Sequence, residues 1–128
     1  SEVIAKSISA NGGLSIYRGL IYVAKGAVNA TSTVQCDSLI LDPKSKSMTI
    51  PHNQVLEPTA EVTHEATAGK ISEDMIFYLQ SRGLSEEESK SLIVLGFIHD
   101  LIKQLPFEMA NILNTVIQIE FSKYGGVG

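Results

Sequence analysis

Apolar and polar positions alternate along the first half of the chain and recur every three or four residues along the second. In the first half, short alternating or β-branched runs, EVIAKSIS, LSIYRGLIYVA, STVQCDSLILD, SMTI and AEVTHEA, are separated by Gly, Asn, Ser and Thr. Runs of this kind, about 10 residues apart, predict strands. The NGG at 11–13 predicts a tight turn, and Pro51 and Pro58 exclude a continuous helix between them. With no helical crossover the strands cannot form βαβ units. An antiparallel sandwich, a barrel and stacked parallel rungs all satisfy the pattern. No strict hexapeptide repeat is visible, so stacked rungs would be of an irregular kind.

The second half predicts three helices. Ser72, followed by Glu73 and Asp74, suits a helix N-terminus, and Ile71, Met75, Tyr78, Leu79 and Arg82 then share a face until Gly83. Ser85 and Glu88 have capping-box spacing ahead of a second helix carrying Leu92, Leu95, Ile102 and Leu105. Pro106 ends that helix and opens a third, where Met109, Ile112, Leu113, Val116, Ile117 and Glu120 recur at helical spacing before a frayed YGGVG. Strands followed by helices read as α+β, with a β portion over 1–70 and a helical region over 71–128.

Length and composition narrow the function. The 128 residues are one domain's worth of chain, and with 44% hydrophobic and 19% charged residues it has the means to bury a core. A net charge of -4, with ten scattered Lys and Arg, argues against nucleic acid and anionic membranes as partners. Apolar runs such as LIVLGFI are far shorter than the roughly 20 residues that cross a bilayer. One cysteine and no signal-like opening make a reducing cytoplasm the expected compartment.

The candidate chemistry centres on Cys36, His64 and Glu65. His64-Glu65 begins like the zinc motif H-E-x-x-H, but position 68 is alanine, which removes the second imidazole. A Cys36–His64 nucleophile and base would need proximity that the sequence does not supply, and no Gly-rich oxyanion element adjoins Cys36. Strand alternation puts Val34, Cys36, Ser38 and Ile40 on one face, and Ala60, Val62, His64 and Ala66 on one face of another strand, both inward. By pattern alone this is a core cysteine and a core histidine, with Glu57, Glu61 and Glu65 solvated. His99 reads as a packing or capping residue of the second helix and His52 as a loop residue.

The words of the sequence carry more. THEATAGKISEDMIFYLQSRGLSEEESKSLIVLGFI, with YRGLIYVAKGAVNA and QCDSLIL upstream, resembles the C-terminal core of the SufB/SufD family of iron–sulfur cluster assembly proteins from about Gly13 to Leu105. The HEAT form with Glu65 is similar to the B-type scaffold, where the D type usually has HGAT. The resemblance implies the last turns of a right-handed parallel β-helix followed by the helical domain. It further implies a non-enzymatic scaffold that docks a SufC-type ATPase through its helices and pairs with a SufB/SufD-type partner, or with itself, through the β region.

At the positions of Cys36 and Glu65 the resemblance implies the residues that B-type scaffolds use in building a nascent cluster, and at His64 the histidine that D-type subunits contribute from across the subunit interface. One thiol with a carboxylate and an imidazole suits a transient cluster, since four cysteines would store one. The strand parity above opposes Cys36 and Glu65, so their meeting requires a bulge or a second subunit. No phosphate-binding loop is present, so ATP hydrolysis would come from elsewhere. Family members are usually several times longer. An isolated fragment is therefore expected to lack the cluster and to self-associate, as a homodimer or larger assembly, through its first strand edge. A truncated module that binds the ATPase and holds no cluster is the alternative.

Overall fold

A computed structural model describes the backbone of residues 1–123 and the side chains through residue 120; the YGGVG stretch lies outside the described residues. The elements are β1 (Glu2–Ser9), β2 (Leu14–Val23), β3 (Thr31–Ile40), β4 (Lys46–Val55), β5 (Glu61–Lys70), α1 (Glu73–Ser81), α2 (Glu86–Ile102) and α3 (Phe107–Lys123). The chain divides into two compact units, Ser1–Lys70 and the segment from Ile71 onward.

In the first unit successive strands alternate between two sheets. One has the order β1-β3-β5 and the other β2-β4, and every pairing is parallel. Parallel neighbours need a long crossover, commonly a helix. Here the crossover is a strand of the other sheet, which is how a helix-free sequence makes parallel sheets. Glu2 pairs with Thr33, Thr31 with Glu61 and Leu14 with Lys46, so the chain returns to the same sheet about 30 residues later. Inward residues of the two sheets form the core: Ile21, Val23, Val34 and Cys36, flanked by Ala5, Tyr17, Ala27, Ala30, Ala60 and Val62.

The corners stack as the strands do. Asn11 and Gly12 both have positive φ, and Gly13 N–H closes the turn on the Ala10 carbonyl at 2.9 Å. That backbone is ordinarily a hairpin turn, yet here it carries the chain from one sheet to the other. One coil later, Asp42 accepts from Ser45 Oγ (2.6 Å), Lys44 N–H (2.9 Å) and Gly12 N–H (3.4 Å). At the opposite corner Glu57 accepts from Gly26 N–H of the preceding coil (2.9 Å), while Thr59 Oγ1 accepts from Asn29 N–H. Glu57 therefore ties two coils together where alternation suggested a merely solvated acid.

Strand limits differ from the sequence reading in two places. β4 continues through Pro51 and His52, with Pro51 opposite Gly19 and His52 opposite Leu20, so His52 is an exposed strand residue. β4 is an edge strand, where a missing N–H costs least. β5 extends through Thr67-Ala68-Gly69-Lys70, continuing in register with Asp37 to Ile40.

The helical unit carries its caps as the sequence spells them. Ser72 accepts from Met75 N–H, and Ser85 and Glu88 form a reciprocal capping box. Gly83, at φ 98°, lets Leu84 N–H reach the Leu79 carbonyl and Gly83 N–H the Gln80 carbonyl, a Schellman closure of α1. Pro106 directly precedes α3 and accepts from Ala110 N–H. The buried face of α2 is Ser89, Ser91, Val94, Ile98 and Ile102, rotated from the Leu92/Leu95 stripe; Leu92 is half exposed. In α1 Ile76 is buried while Met75 and Tyr78 are exposed. Two serines are among the buried residues of α2, Ser89 with its hydroxyl donated to the Ser85 carbonyl at 2.7 Å, which a hydrophobicity stripe does not register. His99 is exposed in the last turn of α2.

The hydroxyl of Ser45, then backbone amides, hold the Asp42 carboxyl below the usual range; the Gly26 amide, then Thr59, do the same for Glu57. A folded pKa below the unfolded value of about 4 stabilises above that value, and the contribution is lost as pH falls through the folded one. Thermal melts from neutral into acid are expected to show falling stability, with a shallower fall in Asp42→Asn and Glu57→Gln. For the helices, Ser85→Ala is expected to cost about 1 kcal/mol in urea unfolding followed by circular dichroism.

Candidate functional site around Cys36 and His64

β3 and β5 are neighbours in one sheet, with Val34 opposite His64 and Cys36 opposite Ala66. Residues two apart on adjacent strands lie diagonally on the same face, within reach of a long side chain. The imidazole of His64 leans across that diagonal, and Nε2 lies 3.5 Å from Cys36 Sγ. Cys36 is only 3% exposed, inside the apolar core, and His64 is half-buried. The structure thus supplies the proximity that sequence distance left open.

Glu65 lies on the other face. It is opposite Gln35, exposed, and separated from Cys36 by the thickness of the sheet. The paired register of β3 and β5 runs unbroken from Thr31 to Ile40, with no bulge to turn Glu65 inward. On that outer face Asp37 accepts from Thr67 Oγ1 (3.0 Å) and Gln35 Nε2 (3.1 Å) and lies 3.9 Å from Lys6 Nζ. Among the described residues no cluster of three or more His, Cys, Asp or Glu side chains is disposed to hold a metal ion. Within one chain the structure brings together Cys36 and His64 but not Glu65.

Two conditions govern the sulfur. Burial pushes the Cys36 thiol up, and the negative charge of Asp37 adds to the shift. Which of Sγ and Nε2 donates depends on the imidazole tautomer. Sulfur and imidazole nitrogen suit iron, zinc or copper(I), but the thiol must lose its proton before binding any of them.

Sequence reasoning missed Tyr17. Its ring meets that of His64 edge-on, with centroids 6.3 Å apart and planes at 76°. Tyr17 forms part of the wall of two cavities, one of about 250 Å³ that includes His64 and one of about 220 Å³ that includes Cys36. The wall of the second cavity is partly hydroxylic: Ser38 Oγ bonds Ser7 Oγ (2.9 Å) and, behind it, Ser47 Oγ (2.7 Å). Among the described residues every buried side-chain polar atom has a partner.

The parallel two-sheet unit that holds this thiol and imidazole lies within a recognised family domain. Residues 1–97 match the family model described as SUF system FeS cluster assembly, SufBD core domain. The chain belongs to the SufBD family. It is 46% identical, over all 128 residues, to iron–sulfur cluster assembly SufBD family proteins of Staphylococcus haemolyticus, Staphylococcus epidermidis and Staphylococcus aureus. It spans 27% of the length of each of these curated relatives. Among the described residues no helix is long and apolar enough to cross a membrane.

The raised thiol has a measurable consequence. At neutral pH, alkylation of Cys36 by iodoacetamide is expected to be several-fold slower in the folded chain than in guanidinium, as followed by mass spectrometry. Because its folded pKa lies above the unfolded one, the thiol's contribution to stability is complete below the ordinary thiol value and lost as pH rises through the folded value.

Proposed function

We propose that this chain is part of a scaffold on which an iron–sulfur cluster is assembled, and that it is not itself an enzyme. Family membership supports the process, and the 3.5 Å approach of Cys36 Sγ to His64 Nε2 carries the site. In this reading the first unit is the end of a right-handed parallel β-helix, which agrees with strands that return to each sheet about every 30 residues. The nascent cluster is cargo. Cys36 would supply the thiolate, His64 a nitrogen donor, and Glu65, on the outer face, an oxygen donor to iron held between two copies or between this chain and a SufB/SufD-type partner.

Two inward donors are too few for a cluster, which is why the proposed assembly is a subunit pair with sulfide or small thiols in the remaining positions. Glu65 in the HEAT stretch favours the B-type role. The helical unit is assigned to docking a SufC-type ATPase, and the compartment to the cytoplasm. A second reading, an interaction module that binds the ATPase without a cluster, is favoured by the depth of Cys36 and the separation of Glu65 from it.

Anaerobic reconstitution with iron and sulfide decides between them. The scaffold reading expects visible cluster absorption that Cys36→Ser abolishes and Glu65→Gln weakens. A colourless protein that still binds the ATPase would leave the module reading standing.

A further inference from the structure

Gly19 sits in the middle of β2, where a glycine weakens a strand and commonly marks a close approach. Its backbone φ is not positive, so no turn requires it. What approaches is Tyr17. A Cβ built on Gly19 would stand 2.8 Å from Tyr17 Cε1 and 2.9 Å from its hydroxyl oxygen. The outer end of the tyrosine ring therefore lies along the strand over Gly19. In that attitude its ring also meets the His64 imidazole edge-on.

We propose that Tyr17 is a positioning residue, seated by the bare backbone of Gly19, whose ring fixes the rotation of the His64 imidazole so that Nε2 faces Cys36 Sγ. Imidazole rotation about its second side-chain torsion is soft, and the diagonal reach brings Nε2 to 3.5 Å from Sγ only in one attitude of the ring. The near-perpendicular contact with the Tyr17 ring, centroids 6.3 Å apart, is what holds that torsion. Edge-to-face contacts between rings are favourable beyond the burial they bring, which suffices to bias a soft rotor. Oriented partners of a ligating imidazole change metal affinity about 10- to 100-fold. This proposal rests on Cys36 and His64 acting as a donor pair, and its test is chosen to fail separately from that reading.

The substitution that tests it most directly is Gly19→Ala, because the obstacle to the new methyl is the free end of a side chain and the fold can yield there. Two quantities are read at fixed neutral pH: the nitrogen chemical shifts of the His64 ring, and cobalt(II) affinity from the thiolate-to-cobalt charge-transfer band. Gly19→Ala and Tyr17→Leu are each expected to move the His64 shifts and to weaken cobalt(II) binding about tenfold. Tyr17→Phe, which keeps the ring edge, is expected to restore both. Gly19→Ala added to Tyr17→Leu is expected to do no further harm, since both act through one ring. Unmoved His64 shifts in Gly19→Ala and Tyr17→Leu would overturn the proposal, and so would additive losses in the double variant. Shifts that move in a wild type showing no charge-transfer band would uphold Tyr17's role and remove the donor-pair reading instead.

Discussion

In-register parallel pairing places every side chain of interest in the β unit. A strand in such a ladder has no freedom to choose which residues face the core, because alternation is fixed by the pleat and the pairing copies it from one coil to the next. Val34 and Cys36 face inward on β3, so their neighbours His64 and Ala66 share that face, and Glu65 is committed to the outside. The corners enforce the copying. Asp42 and Glu57 each accept backbone N–H groups from the coil before, so a slip of one coil past another would orphan them.

That constraint makes the interior chemically uneven. One end of the core is aliphatic, around Ile21, Val23 and Val34; the other is lined by Ser7, Ser38 and Ser47. Cys36 stands between the two, in surroundings that keep its proton on. His64 Nε2 reaches that sulfur from the next strand of the same sheet, at 3.5 Å, so whatever turns the imidazole acts on the contact.

Much of this was legible in the residues. Strand alternation was enough to orient Cys36, His64 and Glu65 correctly, and the Ser72, Ser85–Glu88 and Gly83 signals located two helices, because caps are local chemistry. The parallel pairing was not legible from pattern, since alternation is identical in parallel and antiparallel sheets; only the resemblance pointed there. The 3.5 Å contact was invisible because it depends on a register between residues 28 apart. Tyr17 was passed over as one more aromatic in a strand, although Gly19, two positions on, is the signal that would have found it. The α2 face was legible at Ile102 but not at Ser89 and Ser91, which are buried although hydrophobic periodicity gives serine no weight.

The outer surface of the second sheet is apolar, as much of its lining is. Leu14, Ile16, Leu20 and Tyr22 of β2 project outward beside Met48 and Ile50 of β4, all substantially exposed. Since inward and outward residues simply take turns along a strand, losing a single residue within β2 would evert the sheet: Tyr17 would be delivered to solvent and a leucine or isoleucine to the cavity beside the imidazole. Removing a whole coil of about thirty residues would, by contrast, leave the inward and outward positions of the remaining strands unchanged.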